Sequence, residues 1–114
     1  MQRYDVRYVS IAEEDLCEIV EYLLEHSAKA ANEFIDELEK LEETLSMFPK
    51  SAVLIRDRRL RSKNYRMMVV KEYLLFYTLR NKDVYVMRII HNKRDYLALL
   101  QHMQSHFKGD MSCE

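Results

Sequence analysis

Pro49 is the only proline in this chain of 114 residues, and it separates two hydrophobic rhythms. Before it, apolar residues recur three and four apart. Ala12, Leu16, Ile19, Val20, Leu23 and Leu24 form one set; Ala31, Phe34, Ile35, Leu38, Leu41, Leu45 and Phe48 form the next. That spacing marks the apolar stripe of an amphipathic helix. After Pro49 come three runs rich in Val, Ile, Tyr and Phe: Tyr65–Val70, Tyr73–Leu79 and Val84–His91. These read as strands. Proline lacks the amide a helix needs and disfavours helical geometry at Phe48, so the helical half must stop there.

The punctuation agrees. Tyr4–Val9 alternates apolar and polar and predicts a strand over residues 4–9. Ser10 stands three residues before Glu13, the spacing of a capping box, and opens a helix over 11–26 that His26 ends. Ser27 caps a second helix over 28–47. So short a link makes the two helices an antiparallel hairpin. Lys50–Asn64 reads as a basic connector. The strands over 65–70, 73–79 and 84–91 are joined by Lys71-Glu72 and by Arg80–Asp83, too little chain for anything but antiparallel pairing. Asp95 caps a last helix with Tyr96, Leu100, Met103 and Phe107 on one face. The order β-α-α-β-β-β-α predicts an α+β domain: a helical hairpin on one face of a small, mainly antiparallel sheet, and a C-terminal helix. Residues 1–108 are expected to form one domain and 109–114 a flexible tail. Its core should draw on Leu16, Val20, Leu23, Phe34, Leu38, Leu41, Leu45, Leu74, Phe76, Val86 and Ile89.

Composition removes whole classes. A single Gly argues against barrels, propellers and glycine-rich phosphate loops, which need positive φ or close backbone approach. The longest uncharged apolar run, Tyr73–Leu79, is far shorter than a membrane span, so no membrane partner is expected. Residues 1–5 lack the apolar stretch of an export signal, and Cys17 and Cys113 show no metal-binding spacing. A cytoplasmic location is expected. His102 and His106 stand four apart without a third ligand, so neither a metal site nor a cofactor is expected.

The near-neutral total of −1 conceals a division. Residues 1–49 hold 4 Lys/Arg against 13 Asp/Glu, residues 50–94 hold 13 against 3, and residues 95–114 hold 1 against 3. Local balances of −9, +10 and −2 point to a second half that meets a polyanion or an acidic partner. The plainer alternative is that acidic helix faces and basic strand faces neutralise each other.

The order of elements carries a resemblance, together with three local sequences: Tyr65-Arg66-Met67-Met68-Val69-Val70, Tyr73-Leu74-Leu75-Phe76-Tyr77, and Val86-Met87-Arg88-Ile89-Ile90-His91-Asn92-Lys93-Arg94-Asp95-Tyr96. Over about residues 3–100 the chain resembles the RelE/ParE-type toxins. The resemblance implies the toxin half of a bacterial type II toxin–antitoxin pair, in a hetero-oligomer with a cognate antitoxin. It implies two possible targets. RelE-like members cut ribosome-bound mRNA without metal, and ParE-like members inhibit DNA gyrase without cutting anything.

Cleavage through a 2′-hydroxyl needs a group to take the hydroxyl proton, a group to protonate the leaving oxygen, and cations to hold the phosphate. His91 titrates in the right range for either proton role. Arg66 and Arg88, alternating with apolar neighbours, are expected to point away from the helices and grip the phosphate. Tyr96 offers a ring to stack on a base or a proton to give, and Arg61, Lys63, Lys93 and Arg94 are expected to hold RNA. Each also has a structural alternative: a hydrogen-bonded His91 at a strand end, arginines on a solvated face, an Arg94–Asp95 local pair. mRNA cleavage is the expectation carried forward, with gyrase inhibition beside it.

Overall fold

The computed structural model describes residues 3–57, 60 and 64–103. Its elements are β1 (Asp5–Tyr8), α1 (Ser10–His26), α2 (Ala28–Met47), β2 (Val53–Leu54), β3 (Arg66–Val70), β4 (Tyr73–Arg80), β5 (Asp83–His91) and α3 (Tyr96–Gln101). One five-stranded sheet runs in the order β1-β5-β4-β3-β2. All neighbours are antiparallel except β1 and β5, which pair in parallel from Asp5 opposite Asp83 to Tyr8 opposite Val86. The hairpin α1–α2 carries the chain from β1 at one edge of the sheet to β2 at the other. The fold is thus the expected α+β arrangement.

Caps explain where the helices begin and end. The Ser27 hydroxyl accepts from the Ala30 amide at 3.1 Å and opens α2. The Asp95 carboxylate accepts from the Ala98 amide at 3.3 Å and opens α3. α2 stops at Met47, with Phe48 as its C-cap immediately before Pro49. The N-cap of α1 is Val9, one residue before the expected Ser10, and it contributes no side-chain bond. The reason is the absence of a loop. Val9 still donates to the Val86 carbonyl at 3.1 Å, so strand passes straight into helix and the cap falls one residue earlier.

The connector also differs from expectation, because Val53 and Leu54 pair with Met67 and Arg66 as a two-residue edge strand. Two residues are too few to announce an alternation. Direct cross-strand neighbours share a face, and β4 therefore sorts the sheet. Tyr73, with Phe34 of α2 at 5.4 Å between ring centroids, marks the hairpin face. Phe76, stacked on Tyr96 at 5.4 Å, marks the face under α3. Of the expected core, Phe34, Leu38, Leu45, Leu74, Phe76, Val86 and Ile89 are buried; Leu16, Val20, Leu23 and Leu41 pack half-buried around them. β5, flanked by strands and covered on both sides, is buried from Val84 to Ile90. No helix among the described residues is long and apolar enough to cross a membrane. Phe107 and the 109–114 tail lie outside the described residues.

Candidate functional site

Arg88 does not point away from the helices. Its Nε and Nη2 donate to the two carboxylate oxygens of Asp15 on α1, at 2.7 and 2.9 Å, and the same carboxylate accepts the Ile89 amide at 3.0 Å. The cause lies in the topology. β1 ends opposite Val86, so the outer edge of β5 has no strand partner beyond that point. α1 runs there instead, and Asp15 supplies the acceptor that a neighbouring strand would have given. Both side chains are only about a tenth exposed, at 10% and 11%. A phosphate would have to displace Asp15 to reach the guanidinium.

Arg66 is engaged elsewhere. Its Nη1 donates to the Ala52 carbonyl at 2.8 Å and, more weakly, to the Lys50 carbonyl at 3.4 Å. Beside it the buried Tyr77 hydroxyl donates to the Pro49 carbonyl at 2.7 Å. Together they tie the chain after α2 to the end of the sheet. Arg66 lies opposite Tyr77 and Arg88 opposite Phe76, adjacent residues of β4. The β4–β5 register shifts between Phe76 and Tyr77, and the two arginines have separate partners, Asp15 for Arg88 and the Ala52 carbonyl for Arg66.

His91 lies opposite Tyr73, four residues along β4 from Tyr77. Strand rise and strand spacing place its backbone roughly 16 Å from that of Arg66. The imidazole packs edge-on to Tyr73 at 5.3 Å, and its Nδ1 accepts the Lys93 amide at 3.1 Å. That bond needs the Nδ1 lone pair and so holds the ring proton on Nε2. Nε2 is 3.7 Å from the exposed carboxylate of Glu72. Tyr96 has one ring face on Phe76. Lys93 and Arg94 are exposed on the turn that follows His91. Arg61 and Lys63 lie outside the described residues.

Among the described residues, burial raises the pKa of four tyrosines above the usual range. Burial pushes Tyr65 up to about 12. Burial also raises Tyr8, with help from its hydrogen bond to the Glu42 carboxylate. Burial also raises Tyr73, reinforced by nearby Tyr22 and Glu72, and Tyr77, against the opposing pull of Arg66. These phenols pack the domain and are not proton donors near neutral pH.

The residue the sequence reading missed is Asp15, and its signal was present. It stands three residues after Ala12 and four before Ile19, inside the buried stripe of α1. A shallow cavity of about 480 Å³ is lined by Tyr4, Phe48, Pro49, Lys50 and Ser51.

A helical hairpin on one side of a short meander, with a parallel strand at its edge, makes a small α+β domain. The family model described as "ParE toxin of type II toxin-antitoxin system, parDE" matches residues 6–96, and the chain belongs to that family. Among solved structures it is similar to one described as "Chromosomal ParDE TA system from P. aeruginosa". The TM-score is 0.61 at 12% identity, over 78% of this chain and 96% of that one, a likeness of fold. No curated protein matches the chain.

Proposed function

We propose that this toxin stops growth by binding DNA gyrase, as ParE-like members do, and not by cutting RNA, and that a cognate antitoxin neutralises it in a hetero-oligomeric complex in the cytoplasm. One observation carries the choice between targets: the groups that acid–base cleavage would need are spread out and occupied. Arg88 is bound to Asp15, Arg66 to the Ala52 carbonyl, and His91 accepts from the Lys93 amide. General acid–base catalysis needs its groups within hydrogen-bond reach of one reacting centre. The family match supports the same reading, and the toxin–antitoxin description of the similar structure supports the antitoxin. The RNA-cleaving reading keeps one point in its favour, the exposed Lys93 and Arg94 next to His91.

The test is a pair of assays on one preparation, gyrase supercoiling of relaxed plasmid and cleavage of ribosome-bound mRNA. Gyrase should be blocked and mRNA left intact. His91→Gln keeps an acceptor near the Lys93 amide, so inhibition should stay within about threefold of wild type. If instead mRNA is cut and His91→Gln lowers cutting by about 10²–10⁴-fold, the histidine is an acid or base and the gyrase reading fails.

A further inference from the structure

Among the described residues, the sheet face under α3 is only partly covered. Met67 lies opposite Phe76, Val69 opposite Leu74 and Val53 opposite Met67, so Val53, Met67 and Val69 share this face. Tyr96 covers Phe76, but toward the sheet edge the cover ends: Val69 is 60% exposed and Val53 75%. Among the described residues these two valines are the most exposed of the large hydrophobic side chains. They form an aliphatic strip across two adjacent strands where a solvated sheet face would carry polar residues.

Cations rim one end of the strip. Lys71 follows β3 directly, and Arg94 lies on the turn that leads from β5 into α3. The two turns touch through the Asn92 amide, which donates to the Glu72 carbonyl at 2.9 Å. Lys71, Lys93 and Arg94 are all exposed, and none has a carboxylate partner among the described residues. Aliphatic carbon rimmed by positive charge does not suit a nucleic acid, which asks for stacking rings or a continuous basic track. It suits a polypeptide with aliphatic side chains on one side and carboxylates on the other.

We infer that the strip Val53–Met67–Val69, with its Lys71 and Arg94 rim, is the docking surface for an acidic, aliphatic segment of the antitoxin. The inference rests on the antitoxin part of the proposed function and adds the place and the chemistry of contact. Burying two valines supplies apolar area, and the rim charges steer the acidic segment and fix its direction.

The test titrates the purified toxin with the antitoxin encoded beside it. Val53→Asp combined with Val69→Asp removes both apolar contacts and places carboxylates against an acidic partner; binding should weaken by at least about 30-fold, about 2 kcal/mol. Leu24→Asp, at an equally exposed leucine on α1 (55%), should stay within about threefold. Lys71→Glu with Arg94→Glu leaves the valines in place, and should weaken binding and flatten its dependence on salt. Hydrogen exchange on the wild-type complex gives a readout free of mutation, and protection should rise at residues 53–54 and 67–70. Equal binding by the strip and control variants, or protection confined to the helical hairpin, overturns the surface while leaving the antitoxin as partner. Loss of gyrase inhibition with antitoxin binding intact assigns the strip to the target and also overturns it. If the wild-type chain binds no co-encoded antitoxin, the surface and the antitoxin reading fall together.

Discussion

Replacing Asp15 with alanine would strand two buried groups at once. The Arg88 guanidinium, 10% exposed, would lose both of its charge-assisted bonds, and the Ile89 amide would lose its acceptor at the edge of β5 beyond β1. Breaking a buried ion pair from one side costs about 3–5 kcal/mol, because the remaining charge keeps its desolvation penalty without its partner. An unpaired buried amide adds about 1–3 kcal/mol if water cannot reach it. The two sums overlap, since any rearrangement that lets water in relieves both, so Asp15→Ala should cost about 4 kcal/mol. Against a total stability of about 5–15 kcal/mol, that is a large fraction for so small a domain. Urea unfolding followed by circular dichroism would measure it, with the m-value unchanged. The companion variant, Asp15→Leu with Arg88→Met, removes both charges and keeps the volume. It should lie within about 2 kcal/mol of wild type, the residue of that cost being the Ile89 amide. An Asp15→Ala cost below about 1 kcal/mol, or a double variant as unstable as the single one, would refute the reasoning. The double variant also bears on activity. If it folds and still arrests growth, Arg88 serves the fold and not the target.

Three further outcomes follow from local geometry. Lys71 opens the β3–β4 turn at φ 57°, a left-handed conformation that its Cβ disfavours and that glycine adopts freely. Lys71→Gly should therefore stabilise by about 0.5–1 kcal/mol in urea unfolding, whereas Asn81→Gly, at φ 58° in the next turn, should gain less because asparagine already tolerates that region. Tyr77→Phe removes the donor to the Pro49 carbonyl and should cost about 1 kcal/mol by the same measurement. Burial raises Tyr65 to about 12 and also raises Tyr8, Tyr73 and Tyr77, so above about pH 10 the unfolded chain loses phenolic protons that the folded chain keeps. Their contribution to stability is complete below about pH 10 and is lost as pH climbs through each raised value, which for Tyr65 is about 12. The urea midpoint should decline across that window, and an alkaline midpoint that stays flat would contradict it.

The fold was largely legible because its strongest signals are periodic and local. The change of rhythm at Pro49, the caps at Ser27 and Asp95, and the two short strand connections each depend on neighbours within a few residues. The parts that escaped depend on distant ones. β2 is a strand only because Met67 and Arg66 lie beside it, and nothing in Val53-Leu54 alone declares that. Likewise the Ser10–Glu13 box has the right letters, but β1 is held by β5 up to Val9, which takes the cap position before Ser10 can.

The candidate site was the harder reading, and Arg88 shows why. On an edge strand, a lone arginine between apolar residues is a solvated side chain, and alternation is a sound guide. Val84-Tyr85-Val86-Met87-Arg88-Ile89-Ile90 is not an alternating sequence. It is a continuous apolar run with one charge in it, the pattern of a strand buried on both faces. A charge in such a place must find its partner inside, and Asp15 was the carboxylate set into the apolar stripe of α1. Taken together, the two misfits predict each other: one buried cation and one buried anion, each costly alone, in elements that a β-α crossover places side by side. Chemistry-bearing residues read one at a time suggested a phosphate clamp. Read for what it must do to be buried, Arg88 is tied to Asp15 within the fold, and the surface proposed to meet a partner is the exposed aliphatic strip beside α3 with its cations.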